Sequence, residues 1–101
     1  MPGKYEIIYL PIAYDDLDDI FEYILKDNPA AALDTLEKIQ NAMERLRSFP
    51  KMGSIPKDIR LERMGNRMLI VDDYLIFYVI EGNIIRIRRI LYGSRNYSYL
   101  L

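Results

Sequence analysis

A change of hydrophobic period constrains this chain more than any other feature: apolar residues recur at helical spacing from Ala13 to Ser48 and at strand spacing from Asn66 to Tyr92. Helices gathered before strands, without alternation between them, point to an α+β domain. The length, 101 residues, fits one domain spanning 1–101. Half the residues are apolar, with nine Tyr and three Phe, enough for a single core.

In the helical part, Leu17, Ile20, Phe21 and Ile24 share one face of a helix from Ala13 to Lys26. Asp15, Asp16, Asp18, Asp19 and Glu22 cover the rest and read as a solvated face in the first turns, where the helix dipole favours negative charge. Asn28-Pro29 then supplies a cap and a first helical residue. The second helix runs to about Ser48 with Leu33, Leu36, Ile39, Met43 and Leu46 as its stripe, roughly 30 Å long. The short link makes the pair an antiparallel hairpin.

The segment 51–58, with Gly53 and Pro56, reads as a loop. Strands follow at Asn66–Val71, Tyr74–Ile80 and Ile84–Tyr92, joined by Asp72-Asp73 and by Glu81-Gly82-Asn83, which makes an antiparallel meander. Before the helices, Tyr5–Leu10 is rich in β-formers and Pro11 ends it. This strand joins the meander, because a lone strand leaves its backbone unpaired. The expected order is β-α-α-β-β-β: a helical hairpin on one face of a curved, mainly antiparallel sheet, with the other face partly open. In the last strand Ile85 and Ile87 share one side, and Ile84, Arg86, Arg88 and Ile90 the other. The alternation fails at Arg88-Arg89, which reads as a bulge or as edge protection by charge.

Composition narrows the chemistry. There is no Cys and no His, so neither a disulfide framework nor the commonest metal ligand and proton shuttle is available. No metal or cofactor is expected, and any catalysis falls to Lys, Arg, Tyr or carboxylates. Nothing reads as a signal peptide or membrane span, so a cytoplasmic location is expected. The net charge of −1 hides a split: residues 1–44 hold three Lys against ten acids, and residues 45–101 hold eleven bases, nine of them Arg, against five acids. Such asymmetry reads either as two faces, one suited to a polyanion or an acidic protein, or as an ordinary mixed surface.

The residues Asp16-Leu17, Ile20, Tyr23-Ile24, Ala31-Ala32, Ile39, Leu46 and Pro50 resemble the helical hairpin of the RelE/ParE toxins. The runs Tyr74–Ile80 and Ile87–Tyr97, the latter containing Tyr92-Gly93-Ser94-Arg95, resemble that superfamily's last two strands and C-terminal signature. The resemblance spans essentially the whole chain. It implies the growth-inhibiting toxin of a bacterial type II toxin–antitoxin system, silenced by a cognate antitoxin, as a homodimer or toxin–antitoxin hetero-oligomer. It leaves open ParE-type poisoning of DNA gyrase, RelE-type cleavage of mRNA on the ribosome, and an inactive antitoxin-binding homologue.

A metal-free ribonuclease must activate a 2′-hydroxyl, stabilise the phosphate and protonate the leaving oxygen. The resemblance places a phosphate-binding Arg of such enzymes at Leu75, and their lysines near Asn66 and Met68, with Arg67 close by. Arg95 matches an expected Arg, Tyr92 replaces an expected His, and Tyr97 or Tyr99 stands in for a terminal Tyr. If the chain is a ribonuclease, the catalytic set is therefore Arg95, Tyr92, Arg67 and Tyr97. Arg60, Arg63, Arg86, Arg88 and Arg89 are candidates for binding RNA or a protein target. On a purely structural reading, Arg88 and Arg89 pair with Asp72, Asp73 or Glu62. Tyr5, Tyr9, Tyr23, Tyr74 and Tyr78 read as packing aromatics, and the tail 97–101 as packed back or part of an interface. The incomplete ribonuclease set tilts the reading toward gyrase, as does the resemblance of the long helical hairpin and the Tyr74–Phe77 strand to ParE.

Overall fold

The computed structural model describes residues 4–93, in the order β1 (Glu6–Tyr9), α1 (Pro11–Asp27), α2 (Pro29–Ser48), α3 (Ile59–Arg63), β2 (Arg67–Val71), β3 (Tyr74–Glu81) and β4 (Ile84–Tyr92). The α+β architecture and the β-α-α-β-β-β order are as expected, with α3 as an addition. The sheet order is β1-β4-β3-β2; β1 lies parallel to β4 and the other pairs are antiparallel.

Helix α1 starts at Pro11, two residues earlier than expected, because a proline needs no N–H partner at a first helical position. The acids therefore begin at its fifth residue, past the first turn, so the dipole argument for them does not hold. Asn28 caps α2 by accepting from Ala31 N–H at 3.1 Å. The buried side of α2 is Ala32, Ile39, Ala42, Met43 and Leu46; Leu33, expected on this stripe, is exposed instead. Leu17, Ile20 and Phe21 of α1 meet Ala32, Thr35, Leu36 and Ile39 across the hairpin.

The hairpin covers one sheet face, where Ala13, Ile39, Met43 and Leu46 pack on Ile76, Tyr78, Ile85, Ile87 and Ile90. The β3–β4 register slips between Phe77 and Tyr78: Phe77 opposes Arg89 and Tyr78 opposes Ile87, leaving Arg88 of β4 as the extra residue. This is the expected bulge. It moves Ile90 from the side of Arg86 to the core side, which corrects the simple alternation.

The opposite face is partly closed by α3. Leu61, Phe77 and Leu91 are buried there, with Met68 and Leu75 packed against them. Asp58 starts α3 by accepting from Arg60 and Leu61 N–H at 2.9 and 3.2 Å. At five residues α3 is too short to show a period, so its cap is the only sequence signal for it. The turn Asp72-Asp73 closes β2 to β3 in two residues, with Asp72 at φ 52°, a region that Asp tolerates better than most side chains.

Candidate functional site

The arginines expected to bind a target occupy distinct settings. Arg60 and Arg63 stand exposed on α3. Arg86, on the face away from the hairpin, pairs with Glu81 at 2.6 Å. Arg88, freed by the bulge, donates to Asn66 Oδ1 at 3.2 Å, while Asn66 Nδ2 donates to Leu61 C=O at 3.2 Å. The bulge thus ties β4 to α3 through a buried asparagine. Among the described residues Arg88 bonds to Asn66 and Arg89 to Asp16, where the structural reading of the sequence named Asp72, Asp73 or Glu62.

Arg89 is drawn instead to α1. Its Nε and Nη2 donate to the two carboxylate oxygens of Asp16 at 2.8 and 2.9 Å, and Ile90 N–H donates to Asp16 Oδ2 at 2.9 Å. The geometry follows from strand length. β1 stops pairing at Tyr9 opposite Ile87, so the edge of β4 beyond it lacks a strand partner. Asp16 supplies the missing acceptor to Ile90, and the forked guanidinium completes a bidentate pair. The side chains keep only 15% and 11% exposure, so Asp16 is not part of a solvated face. Its hydrogen bond raises the Arg89 guanidinium above its ordinary value, against the opposing effect of burial.

Arg67 is held by the loop that precedes it. Its Nε donates to Gly53 C=O at 3.2 Å and Nη2 to Lys51 C=O at 3.1 Å. It opposes Tyr78 in β3, whereas Tyr92 opposes Tyr74. Four residues of strand separate those two positions, about 13 Å. The fold therefore does not bring Arg67 and Tyr92 to one centre. Arg95, Tyr97 and Tyr99 lie outside the described residues, as does the rest of the tail.

Leu75 and Met68, the positions where the resemblance puts ribonuclease cations, are both in the apolar cluster sealed by Leu61. Asn66, the neighbouring position, is buried and fully engaged. A phosphate at Leu75 or Met68 would meet apolar side chains, and the guanidinium nearest that place, Arg88, is already engaged by Asn66.

The tyrosines divide. Tyr78 is wholly buried, accepts from Gly53 N–H at 3.0 Å and donates to Pro50 C=O at 2.7 Å. Burial pushes its phenol up, opposed by Gly53 and Arg67. Tyr5, Tyr9 and Tyr74 pack against the core as expected, and Tyr9 stacks on Tyr14 with centroids 4.8 Å apart. Tyr23 is exposed, contrary to expectation. It lines an open groove of about 420 Å³ with Asp19, Ile20, Tyr74 and Tyr92. Burial, Tyr92, and the carboxylates of Asp73 and Asp72 push the Tyr74 phenol up. This groove was missed in the sequence because its residues come from α1, β3 and β4.

The sequence model of the family described as "ParE toxin of type II toxin-antitoxin system, parDE" matches residues 7–97. Toxin ParE3 of Caulobacter vibrioides is 32% identical over 82 residues, which are 80% of this chain and 79% of that protein. The chain belongs to the ParE toxin family. It is the toxin of a type II toxin–antitoxin system, and such a system implies a cognate antitoxin as partner. A structure of the chromosomal ParDE system from P. aeruginosa superposes with a TM-score of 0.74 at 20% identity, over 91% of this chain and 99% of the other. That likeness shows the shared fold. Among the described residues no helix is long and apolar enough to cross a membrane.

Proposed function

We propose that this ParE-family toxin inhibits growth by binding and poisoning DNA gyrase, without cleaving RNA, and that residues 1–101 act as one toxin domain. The apolar cluster of Leu61, Met68, Leu75, Phe77 and Leu91 carries this reading. It occupies the part of the sheet where the resemblance puts the phosphate-binding cations of a ribonuclease. A poison that acts by binding needs a complementary surface but no general acid or base. The exposed arginines of α3, with Arg86 beside them in charge, supply cations for an acidic protein surface or a phosphate backbone. Arg95 is proposed as a target-contacting residue on the strength of the Tyr92-Gly93-Ser94-Arg95 resemblance.

The test adds purified toxin to a gyrase supercoiling reaction and, separately, to translating ribosomes. Loss of supercoiling with intact mRNA is the expected result, and the Arg95→Ala protein should lose at least half of that inhibition. Cleaved mRNA on the ribosome with unimpaired supercoiling would overturn the proposal. Normal growth on expression without antitoxin would leave only an antitoxin-binding role.

A further inference from the structure

The groove between α1 and the end of the sheet has a chemistry that the toxin reading does not use. Three tyrosines meet there from three elements: Tyr23 with 74% of its surface exposed, Tyr92 with 57%, and Tyr74 half-buried between them. The rings of Tyr74 and Tyr92 stand edge to face, 63° apart in plane with centroids at 5.5 Å. Asp19 and Ile20 of α1 complete the lining. The turn carboxylates of Asp72 and Asp73 reach Tyr74 electrostatically. Asp72 is already engaged by Lys38 at 3.1 Å, whereas the carboxylates of Asp19 and Asp73 have no partner among the described residues.

Exposed rings grouped around a groove mark a contact surface, because a free domain gains nothing by leaving them in water. Their negative faces attract a cation, and Arg is the side chain that stacks on them most readily. Uncompensated carboxylates at the rim strengthen the same preference and repel phosphate, which argues against a nucleic acid at this end of the molecule. A purely apolar ligand would use the rings but leave the carboxylates without a role.

We propose that this groove binds an arginine or lysine side chain presented, between apolar neighbours, by a segment of a protein partner. The cation sits against Tyr23 and Tyr92 within reach of Asp19 and Asp73, and the apolar neighbours cover Ile20 and Tyr74. The site is independent of whether gyrase is the target. It lies on the acidic side of the charge split, away from the arginines of α3.

The experiment titrates the intact, antitoxin-free chain with a blocked Leu-Arg-Leu peptide and follows the tyrosine ring resonances by NMR. The control is the same peptide with citrulline, which keeps the shape and removes the charge. The arginine peptide should shift Tyr23, Tyr74 and Tyr92 and bind about tenfold more tightly than the citrulline peptide. Raising salt to about 0.5 M should weaken it severalfold. Tyr23→Ala and Asp19→Asn, both at exposed positions, should each weaken it about fivefold without altering the rest of the spectrum. Equal binding of the citrulline peptide, no ring shifts at millimolar peptide, or undiminished binding to both variants would overturn the proposal. Binding that appears only in Arg95→Ala would assign the groove to the chain's own cation and overturn it equally.

Discussion

The hydroxyl of the wholly buried Tyr78 joins Gly53 N–H and Pro50 C=O, so one bond serves a buried backbone group and the other a part-buried one. Tyr78→Phe keeps the ring and orphans both groups, which should cost about 1–3 kcal/mol in urea denaturation. The raised phenol also fixes a pH dependence. The folded state holds its proton more tightly than the unfolded chain, whose ordinary value is 10.0. Its contribution is complete below that value and is lost as pH climbs toward the raised folded value. Stability should fall above about pH 10, with a shallower fall in Tyr78→Phe because Tyr9 and Tyr74, also raised, remain. Asp16 poses a different residue-scale question, because one carboxylate serves a guanidinium and a strand-edge N–H together. Asp16→Ala should cost roughly 2–4 kcal/mol, between the values of exposed and buried pairs. Asp16→Asn should cost less, since the amide oxygen still accepts from Ile90. Equal losses in the two variants would remove the role assigned to the edge.

At the scale of elements, the loop between α2 and α3 is fastened to β2 and β3, not to the helices it connects. Ser54 and Met68 exchange backbone hydrogen bonds at 2.9 and 2.8 Å, and Arg67 clamps Gly53 and Lys51. Gly53 is needed there for space: a Cβ would stand 2.6 Å from the Tyr78 hydroxyl and 3.0 Å from Met68 C=O. Gly53→Ala should therefore cost about 1–3 kcal/mol by overpacking. It should speed hydrogen exchange at Gly53 and Ser54 before it affects the α1–α2 hairpin. Helix α3 depends on the same arrangement, because its single buried residue, Leu61, packs on Phe77 and Leu91. Too short to persist alone, α3 is held by that contact and by the Asn66–Arg88 bridge.

Across the whole molecule, the charge split of the sequence becomes a spatial division. The acids of residues 1–44 ride mainly on α1 and α2, over one sheet face, while Arg60, Arg63, Arg86 and Arg88 gather at α3 and the other face. The division is not complete: Arg89 reaches across to Asp16, and Arg45 and Arg47 lie in the last turn of α2. If the basic side contacts the target, reversing Arg63 to Glu should reduce gyrase inhibition severalfold while leaving the thermal midpoint nearly unchanged, because its side chain is exposed. Undiminished inhibition at low salt would place the contact elsewhere.

The sequence alone determined what is local or periodic. The hairpin, the cap at Asn28, the strands and their two turns are written in near-neighbour spacing, and the bulge shows as broken alternation at Arg88-Arg89. The family was also legible, because the order and spacing of those pieces are sequence properties. Tertiary structure alone decided what depends on distant partners. Asp16 looks like its exposed neighbours in the acidic run; only the early end of β1 opens the β4 edge it serves, 74 residues away. Leu33 sits on the helical stripe by period, yet Ala32 faces the partner helix because close packing there selects a small side chain. Tyr23 has the pattern of a packing aromatic, and its exposure follows from where the sheet ends beneath α1. Spacing records which residues share a face; which faces meet, and which side chains remain open to a partner, is set when the elements pack.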